Sequence, residues 1–366
     1  MSSSISESQE QNPETSKLEP STSSFTHKDR LSYVSETKLY TGIRADQWPI
    51  VYHPLYNISF CGIEKLHPFD SSKWGRVHAK LIEDGMLSKD QFVEASEASE
   101  HDLRVVHTSC YLAALKCPCR VARLVEVAVV AFLPSFVIDR YLLRPFRYHT
   151  GGSILAARLA LERNWAINLG GGFHHASRSR GGGFCVYADI SLALNFLFLN
   201  RLIARAMIVD LDAHQGNGYE HDFAGDNRVY IFDMFNYQIY PSDFVAKNAI
   251  SRSVPLRSGT GDSEYLHQLS RNLSAALGEF SADIIVYNAG TDCLEGDPLG
   301  LLSLTLNGIM KRDEIVFHFA EQCHIPIVML MSGGYMSTSY EVISKSILNL
   351  HQKRLISLPG AGLLPL

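Results

Sequence analysis

The chain of 366 residues is 46% hydrophobic and 19% charged, which is enough apolar material for a sizeable core. A formal net charge of −5 with no basic stripe argues against direct nucleic-acid binding. Seven irregularly spaced cysteines, an odd number with no secretory signal before them, point to reduced intracellular thiols and not to a disulfide framework.

Residues 1–30 are rich in Ser, Glu and Pro and poor in large apolar groups. Such a segment cannot bury enough surface to offset its ordering entropy, so we read it as a disordered tail before a single domain over 31–366. The tail has no apolar h-region, and Glu7, Glu10, Glu14 and Glu19 precede its first arginine, Arg30, which argues against a transit peptide. PIVYH (49–53) has the look of a first strand. Cys117 and Cys119 form a CPC triplet without a second close pair, so they read as ordinary thiols near a helix end. The most apolar stretch, LVEVAVVAFLPSFVI (124–138), is broken by Glu126 and Pro134. It falls short of the ~20 residues of a membrane span, and no membrane role is expected.

Further on, TGGSILAARLALER (150–163), EYLHQLSRNLSAALGEF (264–280) and RDEIVFHFAEQCH (312–324) carry helical patterns. They alternate with the apolar runs WAINLGGG (165–172), AMIVDLDAH (206–214), VYIFDMFN (229–236), DIIVYNAGTD (283–292) and IPIVMLMSGGY (325–335). This alternation predicts an α/β fold, a single domain with a central, mostly parallel sheet covered by helices on both faces.

Chemistry-bearing residues gather where these strands end. His174 and His175 follow one, Asp210, Asp212 and His214 another, Asp292 a third and Tyr335 a fourth. Open α/β sheets bind ligands outside the carboxyl ends of their strands, so four distant loops should converge on one spot. Asp212 and His214 are two apart, which in extended backbone points both side chains the same way. An Asp oxygen and a His nitrogen suit zinc, and Asp292 can complete the three-ligand, one-open-position layout of a catalytic site. Alone, DLDAH also reads as a solvated loop. Zinc would lower the pKa of bound water to about 7 and polarise a carbonyl. His174 and His175 can then serve as base and acid, and Tyr335 as oxyanion donor. Glycine triplets at 170–172 and 181–183, with Gly333 and Gly334, would let backbone approach a substrate closely.

GGGFHHA, DLDAHQGNG, NAGTDCLEGDPLG and SGGY, in this order, resemble the zinc-dependent histone deacetylases over about residues 48–350. HQGNG, VVHTSCYLAALK (105–116) and LRPFRYHTGG (143–152) resemble class IV most. The resemblance implies an arginase/deacetylase fold with an eight-stranded parallel sheet. It implies one zinc on Asp212, His214 and Asp292, and a potassium ion held by backbone carbonyls near Asp210, Asp212 and His214. It makes His175 the main general base and acid, His174 its electrostatic assistant paired with Asp210, and Tyr335 the group that polarises the acyl carbonyl. Gly183 and Phe184 match substrate-channel positions, and Tyr240, before Pro241, the facing aromatic wall.

The implied reaction is hydrolysis of Nε-acyl-lysine, with acylated proteins such as histone tails as substrates and corepressor proteins as further partners. The mildly acidic balance suits a basic tail. Two departures matter. Asn217 stands where class I enzymes have an aspartate behind the second histidine, so His175 should be less basic. Phe173 stands where many deacetylases have Trp at the tunnel floor, so acyl groups longer than acetyl are expected to fit.

DAH (212–214) also resembles the ureohydrolases, but a two-metal site needs more well-placed acids, and Asp297 before Pro298 reads as loop structure. A deacetylase of small acyl-polyamines would need an acidic gate that the sequence does not make evident. A non-catalytic scaffold usually lacks a ligand or the oxyanion donor, and here none is missing. His53, His67, His221 and His318 read as packing or surface residues, and Cys185 and Cys293 as buried small apolar ones. Asp233 either holds the metal-binding loop or is a plain turn residue. The sequence ends in LISLPGAGLLPL, soon after its last helical pattern, so no long regulatory tail is expected. It has no clear nuclear-localisation run, which leaves nucleus and cytoplasm both open.

Overall fold

The computed structural model describes residues 26–59 and 62–358. Its strands are β1 (Ile50–Tyr52), β2 (Val93–Glu94), β3 (Trp165–Asn168), β4 (Ala206–Asp210), β5 (Val229–Asn236), β6 (Arg252–Leu256), β7 (Ile284–Asn288) and β8 (Ile327–Leu330). They form one eight-stranded sheet in the order β2-β1-β3-β8-β7-β4-β5-β6, and every pairing is parallel. Every apolar run read as a strand is one, and β2 and β6 are additions. Both lie at sheet edges, where the signal is weakest. β2 has two residues, and β6 contains Pro255, which lacks a donor and is tolerated at an edge.

The inner strands β3, β4, β7 and β8 are buried along their whole length, as expected when helices cover both faces. The Arg144–Arg163 helix packs on Asp189–Leu199 and on β3. Elsewhere Asp262–Glu279, Leu306–Gln322, Ser339–Gln352 and Lys73–Glu83 pack in succession. Register aligns the carboxyl ends of the four inner strands: Asn168 pairs with Leu330, Leu330 with Asn288, and Asn288 with Asp210. The loops that leave this row therefore start side by side. The chain passes from β3 to β4 across two strands that it fills only later, so the row also spans a reversal of strand order, where such sheets bind ligands.

The stretch read as a tail over 1–30 overlaps a helix at its inner end. Thr26 caps a helix over His27–Ser35, its Oγ1 accepting from the Asp29 N–H while its own N–H donates to Asp29 Oδ2 at 2.8 Å. Arg30 then donates to the Val105 carbonyl at 2.7 Å, which ties this helix to the domain. Residues 1–25 of that tail, and 359–366 at the other end, lie outside the described residues. Cys117 directly precedes the Pro118–Leu124 helix, and the six described cysteines are free thiols. The apolar 124–138 stretch folds into short helical turns. Among the described residues no helix is long and apolar enough to cross a membrane.

Candidate active site

Asp210, the last residue of β4, is fully buried and richly bonded. Its Oδ1 accepts from the Asp212 N–H at 3.0 Å, its Oδ2 from the Tyr219 hydroxyl at 2.9 Å, and both oxygens from Asn288 Nδ2 at 3.1 Å. His174 Nδ1 lies 2.9 Å from its Oδ2. Burial alone would lower His174, but the charges of Asp212 and Asp210 outweigh it and raise the imidazole to about 9. His175 has no such partner. Its Nδ1 meets the Asn217 Oδ1 at 2.9 Å, and burial, then the charges of His174 and His214, hold it well below the usual histidine range. Nε2 is left as the free nitrogen of His175, and the ring borders the cavity described below.

The two turns after β4 and β7 bring Asp212, His214 and Asp292 together, all buried, with one donor atom of each within 4.8 Å of the others. His214 Nδ1 lies 3.1 Å from Asp212 Oδ1 and 2.8 Å from Asp292 Oδ2. Backbone holds the carboxylates in place: the Ala213 N–H donates to Asp292 Oδ1 at 2.9 Å and the Gly333 N–H to Asp212 Oδ2 at 2.7 Å. Burial, then the charge of Asp212, pushes Asp292 up to about 7. Burial opposes protonation of His214, but its bonds to both carboxylates raise it to about 10. Two carboxylates and one imidazole crowded onto a single buried point are a donor set that fits a divalent cation. Gly290 and Gly333 leave just the space these carboxylates need, since a Cβ at either would run into Asp212.

Tyr335 follows β8. Its N–H donates to Asp297 Oδ2 at 2.9 Å, and its ring stands edge-on to Phe69 at 5.8 Å and to His214 at 6.0 Å. Asp297 also accepts from the N–H groups of Leu299 and Gly300, at 3.0 and 3.1 Å, so it is the loop residue expected and a brace for Tyr335 as well. Gly334 lies behind the turn against Thr291.

A narrow cavity opens over this centre, lined by Phe173, His174, His175, Gly183, Phe184, Asp212, Gly333 and Tyr335 among others. Gly183 adopts φ +52°, and a Cβ there would sit 2.6 Å from the His175 ring. Phe184 stacks on His67 at 4.7 Å and meets Phe69 at 4.9 Å. Tyr240 stands outside the cavity, half exposed, with its ring edge-on to His175 at 4.9 Å. Phe173 packs against Phe146 at 5.1 Å and His149 at 5.4 Å.

All the residues singled out from the strand ends thus meet in one place. Asp233 resolves in favour of holding the loop, because it is fully buried and accepts from the Gly216 N–H at 3.0 Å. Cys185 and Cys293 are buried as expected, and His318 pairs with Gln322 one helical turn on, at 2.9 Å. His67 packs, but it packs on Phe184, which lines the cavity. Several contributors carry no sequence signal. Asp189 accepts from the N–H groups of Gly172 and Phe173, both at 2.8 Å, and so shapes the turn before the histidines. Lys73, fully buried and lowered by that burial to about 8, donates to the carbonyls of Ser332 and Gly333 at 2.6 and 2.9 Å. Phe69 and Lys73 lie in a stretch without a motif. Asn288 sits in NAGTD, where a polar residue ending an apolar strand was the available clue.

The histone deacetylase domain family matches residues 67–351. The chain is 54% identical over 333 residues to Histone deacetylase 2 of Arabidopsis thaliana, spanning 90% of this chain and 86% of that protein. It is 34% identical over 196 residues to human Histone deacetylase 1, a match of 51% of this chain and 39% of that protein. The crystal structure of the HDA15 HD domain shares its fold, with a TM-score of 0.67 and 19% identity over 84% of this chain and 88% of that one. Motif, geometry and these likenesses agree, and the chain belongs to the histone deacetylase family.

Proposed function

We propose that this deacetylase is a zinc-dependent hydrolase that removes acyl groups from the Nε of lysine in proteins, histone tails among them, and that it is class IV-like. One observation carries the reading. The buried Asp212, His214 and Asp292 share a single focus beside two histidines whose Nδ1 atoms are both occupied. Those three side chains would hold the ion, which when bound supplies a Lewis acid for the acyl carbonyl and lowers the pKa of a water.

His175 takes the water proton at Nε2 and delivers it to the departing lysine nitrogen. Its low basicity keeps it neutral, and so ready to act, at physiological pH. His174, tied to Asp210 at 2.9 Å, stands beside the centre to stabilise negative charge that builds on the substrate. Tyr335 donates its hydroxyl to the oxyanion, and its backbone is anchored by Asp297 for that task. Phe184 lines the path of the lysine methylenes, and Tyr240, outside the cavity beside His175, flanks the entry. One feature favours acyl chains longer than acetyl: Phe173 is smaller than an indole. An apolar hollow lined by Val125, Val130, Ile138 and Leu142 among others adjoins Phe184.

The test is turnover by zinc-loaded protein on one lysine peptide bearing acyl groups from acetyl to myristoyl. Cleavage of any member supports the reading, and the length profile reports on the pocket. Silence across the series, with zinc confirmed bound, would overturn it.

A further inference from the structure

Behind His175 the hydrogen-bond chain continues past the neutral amide. Asn217 Oδ1 faces His175 Nδ1 at 2.9 Å, while Asn217 Nδ2 donates to Asp243 Oδ2 at 3.3 Å. The same Asp243 oxygen lies 2.7 Å from His221 Nε2. Asp243 belongs to the loop between β5 and β6 that also carries Tyr240, and no sequence motif marks it. Its own place is fixed independently. Its N–H donates to Gln215 Oε1 at 3.1 Å, its carbonyl accepts from Gln215 Nε2 at 3.0 Å, and its Oδ1 accepts from the Ala246 N–H at 3.1 Å. Burial works against its charge, but bonds from Ala246, His221 and Asn217 hold the carboxyl down at about 2.

A primary amide can present either end. Rotated by half a turn, Asn217 would offer its NH2 to His175 and its oxygen to Asp243. His175 Nδ1 would then have to accept, and in the neutral ring the proton would sit on Nε2, where it blocks uptake of another. A carboxylate at 243 forbids that rotation, because it would set oxygen against oxygen. We propose that Asp243, braced by His221, is a positioning residue that fixes the orientation of the Asn217 amide and thereby the tautomer of His175. An aspartate at 217 would need no such partner, since it presents oxygen in either orientation. The inference rests on His175 being the proton carrier of the proposed reaction.

The experiment is a double-mutant cycle on the full, zinc-loaded chain. Asp243→Ala should lower kcat about tenfold or more, the usual scale for outer partners of a site, and change KM much less. In the Asn217→Asp background the same substitution should cost no kcat. A residue that only tethers the Tyr240 loop would instead raise KM and cost the same in both backgrounds, and that result overturns the proposal. A readout free of turnover is the imidazole ¹⁵N spectrum of His175. It should show a proton on Nδ1 in the natural protein and mainly on Nε2 in Asp243→Ala, and an unchanged spectrum also overturns the proposal. His175→Ala separates the two levels. Full activity in that variant would remove His175 from the mechanism, whereas the spectrum would still report whether Asp243 sets its tautomer.

Discussion

His174 and His175 are neighbours whose ring centroids lie 4.1 Å apart, yet one is tied to a carboxylate and the other to an amide. That difference drives their basicities in opposite directions, His174 up to about 9 and His175 well below the usual range. Two titratable groups pushed apart by their surroundings are the pattern of a divided acid–base task.

The first prediction exploits this division. Asn217→Asp, made together with Asp243→Asn so that no second carboxylate faces it, would place a carboxylate 2.9 Å from His175 Nδ1 and favour its protonated form. The working base is the neutral ring, so raising its pKa shortens the range in which it is free. The acidic limb of the kcat/KM profile should therefore move to higher pH, by roughly one unit for a partner this close. An unmoved limb would show that Asn217 does not set the basicity of His175.

Tyr335→Phe removes one hydroxyl from a ring that keeps its packing on Phe69 and His214. Loss of an oxyanion donor typically costs about 10²–10³ in kcat. Metal content and binding of an acylated peptide should stay near those of the natural protein. Retention of cellular function by this variant would favour a scaffold role over catalysis.

Metal loading should release protons. Without a cation His214 is raised to about 10, so at neutral pH its imidazole carries a proton that must leave before Nδ1 can act as a ligand. Affinity should consequently rise as pH rises through the neutral range. Calorimetry of zinc binding to chelator-stripped protein, repeated in buffers of different ionisation heat, would count the protons. A count near zero would mean that His214 is not protonated in the metal-free protein. Chelation should abolish turnover, and added zinc should restore it.

The sheet was legible in the sequence wherever strands were long and buried on both faces, because continuous apolar runs ending in glycine or acid leave few alternatives. β2 and β6 were not, since edge strands need less burial and tolerate Pro255 and exposed Glu94. The metal-site and histidine positions were legible because each sits within a few residues of a strand end. What stayed hidden were partners supplied by distant segments. Asp189 shapes the histidine turn from 15 residues downstream of His174, and Lys73 reaches Ser332 across 259 positions of sequence. Asp243 reaches the Gln215–Asn217 turn through a loop whose composition advertises nothing. Spacing along the chain carries no information about such contacts, since tertiary packing alone creates them.

The floor of the channel offers the last test. Phe173 is buried, with Phe146 and His149 both pressed against its ring, so a larger residue there must grow toward the open cavity. Phe173→Trp should then shorten the room available to the acyl group. Turnover of acetyl-lysine peptide should change little, while kcat/KM for a long acyl chain should fall. A lost methylene contact is worth about 0.8 kcal/mol, so displacing two or three of them would cost roughly tenfold or more. Equal loss on short and long chains would mean that long acyl groups do not run along Phe173, and would direct attention to the apolar hollow adjoining Phe184 instead.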